Sequence, residues 1–276
     1  MFNKRHIVRT IAATVSILAL SFTAACGSGQ STASNSTDSD DITQQTYKPG
    51  KLTIATGQPA YEPWVMNDKP ESGEGYEAAV AYAVADKLGF KKSDVVWTRT
   101  AFDTAIAPGA KDWDFNIQQF GITDERKKSW DFSTPYRTDY VGLMVKKRSG
   151  FTSIEDLDGK VIGVSQGATT QGLIEQMIKD NGFSCKPEFR AFSGYPIIKS
   201  SLDAGNIDVF AMDRSTLAGY MNETVELLQP EVKFGEQGYG VATKKGCDLS
   251  AVVDQVICDR LADGWLDQEV KTWGLV

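Results

Sequence analysis

These 276 residues contain a single histidine, His6, which falls in an N-terminal stretch expected to be removed. A chain left without histidine excludes Ser-His-Asp and Cys-His nucleophilic arrangements and zinc held by imidazole. Basic residues are also in deficit, 29 against 36 acids, for a formal charge of −7. The leader carries Lys4, Arg5 and Arg9 and no acid, so its loss moves the charge from −7 to −10. A body this acidic is a poor partner for nucleic acid or an anionic membrane surface. Cysteine is scarce, with Cys185, Cys247 and Cys258 beside Cys26. An extracytoplasmic disulfide is expected between Cys247 and Cys258, closing a short loop near the C-terminus and leaving one thiol free.

The only leader-like run is apolar from Ile11 to Ala25. It is shorter than the ~20 residues a spanning helix needs and follows a basic start, which is the pattern of a signal peptide over residues 1–25. An uncleaved anchor is the alternative, and both place the bulk of the chain outside the cytoplasm. The ending Ala24-Ala25-Cys26-Gly27 resembles a lipobox, whose cysteine is acylated after cleavage, although Thr23 stands where leucine is usual. Residues 26–49 are rich in Ser, Thr, Asp and Gln and read as a flexible, lipid-anchored tether.

From Leu52 onward short β-like runs alternate with helical ones, which argues for mostly parallel sheets covered by helices. Strands are expected at 52–56, 95–98 and 115–120, with helices at 77–88 and 102–107. The rhythm restarts after Tyr136, with strands at 141–145, 161–164, 189–192 and 209–212 and helices at about 169–179 and 196–204. An extended return at 240–244 precedes a helix at about 249–261. The expected fold class is α/β with two lobes and a cleft between them: 50–140 plus 241–276 form lobe 1, and 141–240 form lobe 2.

In open α/β sheets ligands sit at the carboxyl ends of strands, and four such places carry suitable chemistry. After the first strand comes the run Gln58 to Trp64, where Tyr61, Pro63 and Trp64 offer flat apolar surface, or local core packing. The run Gln118-Gln119-Phe120-Gly121-Ile122-Thr123-Asp124-Glu125-Arg126 lets Thr123 cap a short helix. Arg126 on that turn is a planar fork for a carboxylate, or a solvated helix charge. Ser165 to Thr170 joins a strand to a helix, and its N–H groups with the Thr169 or Thr170 hydroxyl suit an anion. It has neither a Gly-x-Gly-x-x-Gly pattern nor a Walker lysine, so no nucleotide and no cofactor is expected. Asp213, just past an apolar strand, can receive an ammonium or simply cap the helix that follows. Arg126 with the Thr169 turn as carboxylate receptor, and Asp213 as ammonium receptor, together fit one zwitterion such as an α-amino acid.

At these residues the chain resembles the polar-amino-acid branch of ABC-importer solute-binding proteins, family 3, which have the two-lobed periplasmic-binding-protein type II fold. The likeness runs through Gly75-Tyr76-Glu77, Phe102-Asp103, Ile122 to Arg126, Asp131 to Tyr136, Gly167 to Thr170, Asp208 to Asp213, Ala262 to Leu266 and Trp273-Gly274. It implies that Arg126 clamps the ligand α-carboxylate, Thr169 adds a helix-terminal contact and Asp213 takes the α-amino group. Tyr61 and Phe102 would sandwich the ligand, with Trp64 close by and Gln118, Gln119 and Gly121 lining the site; Ser165 is a further lining candidate from the strand-to-helix turn itself. Glycine at 121 replaces a usual Ser or Thr, so one hydroxyl donor is missing. Gln58 stands where several basic-amino-acid binders have an acid, which points to a neutral polar ligand such as glutamine or a sulfur-containing amino acid. The implied partners are that amino acid, a membrane permease and the membrane through the lipid anchor; a monomer is expected. Competing readings are a dehydratase of cyclohexadienyl acids on the same scaffold and a sensory binding protein.

Overall fold

The alternating apolar runs become two sheets, each with helices on both sides. The computed structural model describes residues 42–228 and 234–275; the leader, Cys26 and most of the expected tether lie outside the described residues. In chain order the first half contains β1 (Leu52–Gly57), α1 (Tyr76–Lys87), β2 (Val95–Thr100), α2 (Phe102–Ile106), β3 (Phe115–Asn116), α3 (Asp124–Lys127) and β4 (Trp130–Phe132). The second contains β5 (Arg137–Lys146), β6 (Val161–Ser165), α4 (Thr170–Asp180), β7 (Glu188–Phe192), α5 (Tyr195–Ala204), β8 (Val209–Asp213), α6 (Arg214–Ala218), β9 (Val225–Leu227) and β10 (Phe234–Tyr239). The chain then returns to the first sheet through β11 (Ala242–Lys244) and ends in α7 (Asp248–Ala262) and α8 (Trp265–Thr272).

The first sheet runs β2-β1-β3-β11-β4. Its first three strands are parallel, with Ile54 beside both Trp97 and Phe115, while β11 is antiparallel to β3 and β4. A strand covered on both faces has no polar face, and Leu52, Ile54 and Ala55 of β1 are indeed fully buried. Val80 and Val84 of α1 meet Val253 and Val256 of α7 in the same core. The second sheet runs β10-β5-β8-β6-β7, with β9 added to β5. All of β8 is buried, as expected for a central strand carrying helices on both faces. Ile174 and Met177 of α4 pack on one side, Ile198 and Leu202 of α5 on the other.

The two crossings between the sheets lie side by side. Strand β5 leaves the first half as β10 returns to it, and they pair antiparallel through Arg137 with Tyr239 and Asp139 with Gln237. The pairing shifts register between Phe234 and Gln237. Two adjacent extended strands can twist together without breaking either core, the geometry of a hinge.

Three expectations need correction. Residues 42–49 are not free tether: Ile42 packs on the first core, Tyr47 N donates to Asp114 at 2.5 Å, and Lys48 bridges Lys51. The strand expected at 115–120 stops after Asn116, and the chain has left the pleated region by Gln119, whose φ is +53°. The three cysteines among the described residues are thiols. Cys247 is the N-cap of α7 and Cys258 lies on the same helix, about 16 Å further along at 1.5 Å per residue. That separation exceeds the ~7 Å a disulfide tolerates.

Candidate functional site

A cleft opens where the carboxyl ends of β1, β6 and β7 face the loop after β3, and it has two chambers. The first, about 410 Å³ including its mouth, is lined by Gln58, Tyr61, Phe102, Gln118 and Gln119 from the first half. Ser165, Ser193 and Tyr195 line it from the second. The second chamber, about 280 Å³, is lined by Gly121, Arg126, Thr169, Thr170, Gln237 and Tyr239. Phe102, Gln119, Ser165 and Tyr195 border both chambers, so they form one continuous site. Ten of the twelve residues singled out in the sequence line it, and the exceptions are Trp64 and Asp213.

Arg126 is placed by the short helix α3. Thr123 accepts the Arg126 backbone N–H at 3.1 Å, which holds the first turn. The guanidinium then reaches across the cleft: Nη1 donates to Gly121 O at 2.7 Å and Nη2 to Gly167 O at 2.9 Å. Its carbon lies 5.7 Å from the Phe102 ring centroid, a cation–π contact. Burial lowers its pKa to about 10, so it stays charged at neutral pH. Among the described residues its partners are two carbonyls and a ring face, none of them an acid.

Further contacts close the cleft from both sides. The Tyr61 and Tyr195 rings stack with centroids 4.3 Å apart, and the Tyr61 hydroxyl accepts Tyr195 N at 3.3 Å. Gln166 Nε2 donates to Asp103 Oδ2 at 2.9 Å. Thr169 is the N-cap residue of α4, and its hydroxyl donates to Gln237 Oε1 at 2.6 Å. Thr170, the first residue of the helix, is buried.

The sequence expectation for Trp64 is overturned. The chain turns back after Pro63 and encloses the indole completely, between the Tyr76 and Tyr239 rings at 6.0 and 5.9 Å. Its Nε1 donates to Thr216 at 3.0 Å. Trp64 therefore supports Tyr239, which does line the cleft, instead of meeting a ligand itself. Asp213 stands one residue beyond the lining Met212 and is only 2% exposed. Its Oδ2 caps α6 by accepting Thr216 N at 3.1 Å, while Oδ1 is buried without a hydrogen-bond partner. The Tyr239 hydroxyl faces this carboxylate, whose charge and hydrogen bond add to burial in raising the phenol's pKa. Burial, and then the neighbouring Asp139 charge, raises the Asp213 pKa to about 7. Asp213 is thus both a helix cap and a buried carboxylate that faces Tyr239 beside the cleft wall.

Several residues here had no assigned role in the sequence: Glu77, Ser193, Tyr195, Gln237 and Tyr239. Glu77, in the first turn of α1, is buried and accepts Gln119 N at 2.7 Å together with Gln119 Nε2 and the Tyr136 hydroxyl. These bonds hold Gln119 in its left-handed conformation, uncommon for a residue with a side chain. Burial raises the Glu77 pKa to about 7 against the pull of those bonds. A carboxyl raised in this way stabilises the fold below its unfolded pKa of 4.5, and that contribution is lost as pH rises through about 7. Glu77→Gln is expected to remove this dependence, flattening by up to about 3 kcal/mol the fall in stability between pH 4.5 and 7.5 seen in denaturant titrations. The sequence signals for Glu77 were its place in the Gly75-Tyr76-Glu77 motif and an acid among the apolar residues of α1; Gln237 carried none.

Two sheets joined by a pair of crossing strands, with a cleft at the strand ends holding an acid-free guanidinium, define a protein that captures a small solute. The chain belongs to the bacterial extracellular solute-binding proteins, family 3, whose pattern it matches over residues 52–276. It is 30% identical over 218 residues to the L-cystine-binding protein TcyJ of Escherichia coli K12, covering 77% of this chain and 79% of that one. It is 28% identical over 267 residues to the ABC transporter glutamine-binding protein GlnH of Bacillus subtilis 168, covering 95% of each. Among solved structures, an ancestral arginine-binding protein bound to arginine superposes with a TM-score of 0.68 at 30% identity, over 81% of this chain and 98% of that one.

Proposed function

We propose that this chain is an extracytoplasmic binding lipoprotein, anchored through Cys26, that captures one neutral polar α-amino acid and presents it to an ABC-importer permease. The observation that carries this reading is the contrast between the chambers. Arg126 stands in one as a fixed positive fork, while the residues lining the other are all uncharged. A ligand side chain bearing a charge would be desolvated there with no counter-ion, at a cost of several kcal/mol. A neutral side chain that hydrogen-bonds instead finds Gln58, Ser193 and Gln118, whose Oε1 is buried without a partner. Glutamine, for which the Bacillus subtilis relative is named, is such a ligand; cystine, whose far end carries a second ammonium and carboxylate, and the arginine bound in the ancestral structure are not.

In this reading Arg126 receives the α-carboxylate, with the N-terminus of α4 beside it, and Asp213 receives the ammonium. Tyr61 and Phe102 flank the remainder of the ligand. The two sheet-bearing halves act as lobes that close about β5 and β10, and closure is favoured only by contacts the ligand gains in the closed state. Calorimetric titration with a panel of twenty amino acids and L-cystine tests the assignment. L-glutamine or a sulfur-containing amino acid is expected to bind tightest, with lysine, arginine and glutamate weaker by roughly a hundredfold, the equivalent of ~2.7 kcal/mol. Tightest binding by any of those three charged amino acids would overturn it.

A further inference from the structure

Gln237 lies on the crossing strand β10 and touches both halves of the cleft. On one side its Oε1 accepts the Thr169 hydroxyl at 2.6 Å, at the start of α4. On the other its amide fills the volume where a side chain at position 121 would begin. A Cβ built on Gly121 would collide with Gln237 Oε1, lie 3.1 Å from Gln237 Cδ and stand 3.4 Å from Arg126 Nη1. Glycine at 121 and glutamine at 237 are therefore two parts of one arrangement, set directly against the guanidinium.

We propose that Gln237 is a ligand-binding residue whose amide oxygen fills the place left open by the missing side chain at Gly121 and whose N–H groups supply, from the hinge strand, an uncharged donor to the chamber that holds Arg126. This rests on the reading that Arg126 receives a ligand carboxylate. A carboxylate offers about four acceptor sites, and a guanidinium fork uses two of them. The Gln237 oxygen is engaged by Thr169, so what the amide has left to offer is its two N–H donors. The Thr169 bond also polarises the amide and strengthens those donors. A neutral donor here adds no repulsion toward Arg126, as a lysine would, and does not compete for it, as an acid would. Because Thr169 and Gly121 belong to opposite halves, Gln237 meets both only when the cleft is closed, so the same contact links carboxylate capture to closure.

A four-protein cycle tests this: wild type, Gln237→Ala, Gly121→Ser and the double variant. Each is titrated calorimetrically with L-glutamine, L-cystine and L-methionine, using the tightest wild-type ligand throughout. Gln237→Ala is expected to weaken binding roughly tenfold to a hundredfold, the range for one hydrogen bond to a charged group. Gly121→Ser alone is expected to weaken it by at least about tenfold, because its Cβ displaces the amide. Together they are expected to recover to within about fivefold of wild type, since the serine hydroxyl then occupies the vacated space as the donor. A residue that merely stiffens the hinge would show no such rescue. Unchanged binding by Gln237→Ala, or a double variant at least as weak as the two single losses combined, overturns the inference. If Gln237→Ala does not fold, Gln237→Met keeps the volume without the donors and replaces it in the cycle. Failure of wild type to bind any of the three ligands would sink the functional reading itself, a result distinct from binding that ignores position 237.

Discussion

Arg126→Ala is expected to weaken amino-acid binding by about 10²–10⁴-fold, the loss of two charge-assisted hydrogen bonds worth ~1.5–3 kcal/mol each. The size follows from where the guanidinium sits. It is half-buried against Phe102, and its two Nη groups are already turned toward the opposing halves through Gly121 O and Gly167 O. A ligand carboxylate entering between them takes over donors whose geometry is set in advance, so little rotamer entropy is lost on binding. Arg126→Lys keeps the charge but not the fork and is expected to fall between alanine and wild type. Both variants should unfold within a few degrees of wild type, since the side chain bonds to loop carbonyls at the cleft rather than to either core. Calorimetry with L-glutamine and L-cystine measures the binding, and circular dichroism the unfolding. A near-wild-type affinity for Arg126→Ala would remove the carboxylate receptor from the account.

The second large effect is on pH dependence. Asp213 is held at a pKa of about 7 by burial and by Asp139 on β5. It also faces Tyr239 on β10, Tyr195 on α5 and Glu77 on α1, whose own pKa values it helps to raise. Hydrogen bonds from the side chain and N–H of Thr216 on α6 and from the backbone of Asp213 itself favour its charged form without offsetting the burial. Below pH 7 the carboxyl is therefore protonated in the free protein and cannot pair with an ammonium. Binding then requires loss of that proton, so affinity should rise by up to tenfold per pH unit from pH 5 to pH 7 and level off above it. Asp213→Asn is expected to abolish this slope and to bind roughly a hundredfold more weakly at pH 8, losing one charge-assisted contact. Glu77→Gln should keep the slope, which separates the two buried acids. Titrations in buffers of different ionisation enthalpy would show about one proton released per ligand at pH 6. Wild-type affinity that is flat from pH 5 to 7 would remove Asp213 from the ammonium site.

Most of the fold could be read from hydrophobic periodicity because the two sheets are covered on both faces. Runs such as Leu52 to Thr56 and Val209 to Met212 are uninterrupted and apolar, and the helices between them stop at clear signals such as Gly205 after α5. Single residues that needed tertiary partners were not legible. Nothing in the run Ile117-Gln118-Gln119-Phe120 announces a left-handed glutamine, since glutamine has no local preference for it; Glu77, forty-two residues earlier, imposes it. The aromatic run at Tyr61 to Trp64 splits by one turn of chain, with Tyr61 in the cleft and Trp64 beneath it. The candidate site was legible where a charged side chain followed a recognisable helix cap, as at Arg126 after Thr123, while Asp213 at the end of β8 proved to lie just behind the cleft wall. It was illegible where the chemistry is neutral and comes from the far end of the chain, as at Gln237 and Tyr239.

The pairing of one guanidinium with one buried carboxylate across a single bound zwitterion is tested most directly by removing each end of the ligand in turn. Calorimetric titration of the wild type at pH 8 would compare the tightest amino acid of the panel with its decarboxylated amine and its deaminated acid. Both truncated forms are predicted to bind at least roughly a hundredfold more weakly than the parent, since each forfeits a charge-assisted contact in a dry cleft. Binding of either one within a few fold of the parent would contradict the account.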